Sequence, residues 1–152
     1  MSNNFVTLAR NALVEELEQL YRDVRALIAP LDERALWARP VEPGNSIGHL
    51  ALHLTGNLNH FVGRHLGHTD YTRDREREFT EANVPTKDEV LKRLEEAVVL
   101  FRRVVTGLSE AQLTVTHPEA KFGPVFKALT HFVVHFGVHR GQMSYLARLV
   151  KD

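Results

Sequence analysis

The chain has no cysteine, one tryptophan and two methionines in 152 residues. The missing thiol excludes disulfides, thiolate nucleophiles and cysteine-ligated zinc, and leaves the redox compartment open. It also lacks a charge surplus of either sign: 19 Lys and Arg balance 19 Asp and Glu. No overall field then draws in nucleic acid or anionic lipid, and neither is expected as a partner. No apolar run nears the roughly 20 residues of a membrane span, so no membrane is expected. "MSNNFVTLARNALVEELEQL" has no basic stretch followed by an apolar one, so it does not read as a signal peptide, and a cytoplasmic location follows as the default. Gly-rich phosphate loops (GxGxxG, P-loop), the GxSxG elbow and HExxH are all absent. Ser144 lies near His139, but no Asp completes a triad.

What remains is an apolar fraction of 43%, ordinary for a globular protein, and nine histidines, which are not. The length suits one domain over residues 1–152. Four segments repeat apolar residues at helical spacing. The first, about Asn4 to Ala29, carries Phe5, Leu8, Ala12, Leu17, Leu20, Val24, Leu27 and Ile28 and is ended by Pro30. The second, about Ser46 to Leu66, opens on an N-cap serine and carries Ile47, Leu50, Leu54, Leu58 and Phe61. The third, about Lys87 to Thr106, follows Thr86-Lys-Asp-Glu89, read as a reciprocal capping box, and is stopped by Gly107. The fourth runs from Pro124, suited to a first turn, to about Leu149.

No segment alternates as a strand would. The expected fold is an all-α four-helix bundle. "LGHTDYTRDREREFTEANVP" is a charged connection of little expected weight in the core, either a crossover between helix pairs or a cover over one end. Leu31-Asp-Glu-Arg-Ala-Leu36 and Leu108-Ser-Glu-Ala-Gln-Leu113 follow helices one and three, and His49 to Leu54 resembles His131 to Phe136. The bundle then reads as two related helix pairs, with chance similarity of common residues as the competing reading.

"HFVVHFGVHRGQ", His131 to Gln142, raises the chemical question. Residues i and i+4 of a helix lie about 40° apart, so His135 and His139 share one face with Ala128, Phe132 and Leu146. A buried imidazole left without partners costs roughly 1–3 kcal/mol per group. A shared divalent ion removes that cost for two of them at once, and i, i+4 is the spacing that lets both reach it. His53 borders the core face of the second helix and offers a third ligand. Three histidines with one open position form a catalytic zinc arrangement. The competing reading is a set of core histidines, each hydrogen-bonded on its own. His131 is expected beside the site or on the helix edge. Gln142 and Asn57 are expected either to orient a ligand or to make plain interhelical hydrogen bonds. His49 and His60 fall further toward solvent, and His65, His68 and His117 read as surface or loop groups. Gly141 is expected to allow a close backbone approach. The run "TRDREREF" reads as a solvated face packed down by Phe79, with Arg73 or Arg75 as weaker candidates for holding an anionic substrate.

These motifs resemble the DinB superfamily. "NSIGHLALHLTGN" matches its S-I-x-x-L-x-x-H element, ending on His53, and His135 with His139-Arg140-Gly141-Gln142 matches its H-x-x-x-H-R-G-Q element. The superfamily includes YfiT-like metal-dependent hydrolases, bacillithiol transferases and mycothiol-dependent maleylpyruvate isomerases. The resemblance implies a zinc or nickel ion on His53, His135 and His139, near one end of the bundle, and a homodimer. It implies a small-molecule substrate and two versions of the chemistry: hydrolysis by metal-bound water, or transfer of a low-molecular-weight thiol to an electrophile. The alternative is a non-catalytic dimeric binding or stress-response module with a structural metal.

Overall fold

A computed structural model describes residues 2–151. Helix α1 spans Ser2–Ile28 and is followed by the short α2, Glu33–Trp37. Helix α3, Ile47–Leu58, runs on without a break into a π-helix, Asn59–Arg64, and then α4, His65–Gly67. A short α5, Arg77–Thr80, lies in the charged connection. Then come α6, Lys87–Gly107, the short α7, Glu110–Thr114, a 3-10 turn, Ala120–Phe122, and α8, Val125–Val150. The described residues contain no strand; an isolated bridge joins Thr116 to Pro124. The fold is an all-α bundle of the expected kind, with its long helices within a few residues of the expected bounds.

Local chemistry explains the helix starts. Asp32, Ser46, Thr86 and Ser109 each accept a hydrogen bond from a first-turn backbone N–H of the following helix. Each such cap is worth about 1 kcal/mol. The reciprocal capping box expected at Thr86 is only half formed. Glu89 accepts instead from Arg93 Nε at 2.8 Å, a charge-assisted bond one turn on. The full box sits at Ser109, whose N–H donates to Gln112 Oε1 at 2.8 Å. Pro124 caps α8 from just outside it.

Helix α1 packs against α6 and α8, and α3 packs against the same two, so α1 and α3 stand on opposite corners. Chain-consecutive helices are therefore diagonal across α1 to α3 and across α6 to α8. The two connections that cross carry α2 and α7, the two hexapeptides noted as a repeat, each a five-residue helix with a side-chain cap. The twenty-residue connection joins the neighbours α3 and α6 and is not a crossover; α5 within it packs on α3.

The core is built from Leu17, Val24 and Ile28 of α1, Leu50, Leu54 and Leu58 of α3, Leu94, Phe101 and Val105 of α6, and Leu129, Phe132 and Phe136 of α8. The expected stripe on α1 fails at its start. Phe5 and Leu8 are 70% and 64% exposed, and the buried face begins at Leu13 and Val14. The outlying apolar residues line a surface groove with Phe126, Val133 and Val134 of α8.

Candidate metal centre

His53 comes from the middle of α3, and His135 and His139 come from successive turns of α8. Ser46 fixes the start of α3 and so the angular position of His53 seven residues on. His53 is buried; His135 and His139 are half-buried. Their donor atoms lie within 4.8 Å of one another. His135 Nε2 is 3.1 Å from His53 Nε2 and 3.1 Å from His139 Nε2. The three rings meet at 67°, 82° and 84°, edge toward edge instead of stacked.

The outer nitrogens decide the protonation. His53 Nδ1 is 3.0 Å from Glu78 Oε1. A carboxylate only accepts, so Nδ1 carries the proton and Nε2 presents a lone pair. His139 Nδ1 is 2.7 Å from Gln142 Oε1 and donates in the same way, which bares its Nε2. Two lone pairs thus face the nitrogen of His135, which has at most one proton to give. At least one must go unanswered without a further group at the centre. His135 Nδ1 is also buried without a partner. Nitrogens bound tetrahedrally to zinc at 2.0–2.1 Å stand roughly 3.3 Å apart, close to the spacing found. The donor set, its tautomers and its spacing fit a divalent transition metal.

Burial, with the charges that His139 and His53 would carry, pushes the His135 imidazole down to about 3. Burial also lowers His139, against the opposing hydrogen bond to Gln142. Both are therefore neutral near pH 7 and able to ligate.

Glu78 was not singled out in the sequence, where it lies in a run that reads as solvated. It is 7% exposed. Arg73 grips it with Nε on Oε2 and Nη2 on Oε1, both at 2.8 Å. Burial alone would raise the Glu78 carboxyl, but the hydrogen bonds from His53 and Arg73, with the Arg73 charge, hold it below the usual carboxylate range. Arg73, Glu78 and His53 thus form an ion-paired chain that ends at the nitrogen facing the centre of the cluster. Gly56 makes room for it. A Cβ at position 56 would collide with Glu78 Oε2, so a larger residue there would push the carboxylate off His53.

The other sequence candidates divide. Gln142 is at the site, through His139. His131 is exposed and stacks beside His135 at 6.5 Å between ring centres, which puts it on the helix edge. Asn57 is buried but makes no hydrogen bond to the three histidines. His49 is buried rather than turned to solvent: Ser46 Oγ is 2.6 Å from its Nδ1 and Trp37 packs on its ring. His117, read as a loop group, is 1% exposed. A Cβ at Gly141 would meet nothing within 4 Å, so no close approach explains that glycine. Arg75 stacks over Phe79 and stays off the cluster, while Arg73 serves Glu78. A cleft lined by Thr55, Tyr71, Asp74 and Glu81 among others touches Glu78 and none of the three histidines.

A family profile, that of the DinB superfamily, matches residues 16–143. The crystal structure of a conserved protein from Enterococcus faecalis is similar in fold, with a TM-score of 0.77 at 18% identity, over 92% of this chain and 95% of that one. No curated protein matches the chain.

Proposed function

The chain belongs to the DinB superfamily, and from that premise we propose that it is a metal-dependent enzyme whose zinc or nickel ion is held by His53, His135 and His139. The observation that carries this reading is the convergence of three Nε2 atoms whose outer nitrogens leave two of them bare. A divalent ion held there supplies Lewis acidity, lowering the pKa of a coordinated thiol or water.

The surrounding residues favour the thiol version. Hydrolysis of an amide or ester profits from a side chain that moves a proton to the leaving group. Among the described residues, Glu78 is the one carboxylate hydrogen-bonded to the cluster, and Arg73 and His53 already occupy it. It orients His53 and does not serve as a free base. Transfer of a small thiol to an electrophile needs no such group: the sulfur would be held as thiolate at the ion, its proton passing to solvent, and the thiolate would displace the electrophile's own leaving group, chloride in a chlorinated probe. The remaining residues then orient: Gln142 fixes His139, and Glu78 fixes His53.

The test combines elemental analysis with turnover. Purified, zinc- or nickel-loaded protein is expected to conjugate a low-molecular-weight thiol to monochlorobimane. Metal-dependent ester cleavage without thiol consumption would favour the hydrolase version. If chelation instead collapses the melting transition and no turnover is found, the ion is structural and the non-catalytic reading prevails.

The apolar groove between the start of α1 and the start of α8 suits the homodimer. Phe5, Leu8 and Val134 expose apolar surface on facing helices, where a second copy would cover it. Leu8→Glu is expected to convert a dimer to a monomer in light scattering with helix content unchanged. A wild-type monomer at micromolar concentration would remove the dimer from this reading.

A further inference from the structure

The π-helix carries a second cluster. In an α-helix, residues five apart point about 140° away from each other. In a π turn the backbone bond runs from i to i+5, and residues five apart come to lie over one another. The N–H of His65 donates to the carbonyl of His60 in this way. The turn therefore brings the two imidazoles together, edge to face, with ring centres 4.7 Å apart. Opposite them stands Glu119, from the loop before α8. Its Oε1 is 3.2 Å from His60 Nε2 and 3.5 Å from His65 Nε2.

The loop that delivers Glu119 is firmly held. His117 Nδ1 accepts from the Glu119 backbone N–H at 3.0 Å, so its proton is on Nε2, which donates to the Phe61 carbonyl at 3.0 Å. That side chain ties the Glu119 loop to the π turn itself. The bridge between Thr116 and Pro124 closes the loop behind it. The arrangement still leaves His60 Nδ1 and His65 Nε2 buried without hydrogen-bond partners. A hydrogen bond between His60 and Glu119 does not answer His65 Nε2, which faces the same carboxylate oxygen at 3.5 Å without a hydrogen bond.

We propose that His60, His65 and Glu119 form a second divalent-cation site, independent of the three-histidine cluster. Each residue brings a donor atom within 4.8 Å of the other two. Two neutral imidazoles and one carboxylate give a donor set of net charge about −1, the composition that suits zinc and other borderline transition ions. The side chains are 23%, 24% and 31% exposed, so an ion can enter from solvent. Lys121 Nζ lies 3.5 Å from Glu119 Oε2, where it balances the carboxylate in the absence of an ion.

Metal counting separates the two sites. Stripped wild-type protein dialysed against excess zinc is expected to hold two ions per chain by elemental analysis. His65→Ala and Glu119→Gln should each hold one, His135→Ala should also hold one, and His65→Ala combined with His135→Ala should hold none. Cobalt in place of zinc gives a second readout: the visible absorption remaining in His135→Ala should vanish on adding Glu119→Gln. Glu119→Gln preserves shape, so it decides the matter if His65→Ala fails to fold by circular dichroism. Should both variants keep the wild-type metal count, the second site is overturned, whatever His135→Ala does. If His135→Ala keeps the wild-type count while the other two lose an ion, the three-histidine reading fails and the second site stands.

Discussion

Replacing His135 with alanine is expected to weaken zinc binding at the three-histidine cluster by more than about 100-fold. Residues that merely orient a ligand change affinity by roughly 10–100-fold, and on the proposed reading His135 is itself one of three donors, the one whose Nε2 is 3.1 Å from each of the others. Competition against a chromophoric chelator, on a background that removes the His60–His65–Glu119 cluster, measures the loss. Unchanged affinity would end the three-histidine reading. The same residue should behave oppositely in the metal-free protein. Its Nδ1 is buried and unpartnered, and burial keeps the ring uncharged. Such a group costs on the order of 1–3 kcal/mol. Stripped His135→Leu should therefore melt no lower than stripped wild type. A residue that helps only when metal is bound is placed for the metal and not for the fold.

The second large effect is expected at Glu78. Glu78→Ala removes a carboxylate that satisfies two Arg73 nitrogens and His53 Nδ1 in a buried setting. It leaves the Arg73 guanidinium buried and uncompensated, a change that costs about 3–5 kcal/mol. Chemical denaturation of the metal-free protein measures it. Zinc affinity at the cluster should fall in addition by roughly 10–100-fold, because His53 loses the group that fixes its tautomer. Arg73→Met combined with Glu78→Leu should recover much of the stability and little of the affinity, since no buried charge is then left unpaired. Equal losses in the single and double variants would mean that Glu78 supports the fold through packing alone. Gly56→Ala should reproduce part of the affinity loss by pushing the carboxylate away from His53.

Much of this was legible in the sequence. The four long helices follow from apolar spacing and from Ser46, Thr86 and Pro124. The convergence of His53 with His135 and His139 follows from their angular positions once the helices pack. Most of the parts that were not legible depend on how segments distant in the chain pack, or fail to pack, against one another. Glu78 sits among charges that look solvated, and its burial follows from α5 packing on α3 beside Gly56. The glycine in "HLTGN" was the available signal, since a small residue on a buried face leaves room for something. The start of α1 carries the same periodicity as the rest, yet no helix covers Phe5 and Leu8. His117 lies in a loop by every local criterion and is buried because that loop is pinned to the π turn. The π turn itself has no marker in helical periodicity, which assumes about 3.6 residues per turn throughout.

That turn amounts to one surplus residue threaded into a continuous rod. A one-codon deletion between positions 60 and 65 would return the segment to ordinary winding, and because the wide turn already absorbs the extra residue, the helix beyond it would keep its bearing. His60 and His65 would then stand four residues apart, about 40° from each other, and stay neighbours. What the surplus residue sets is therefore the fine spacing of the His60 and His65 rings, while His53, upstream of it, owes it nothing.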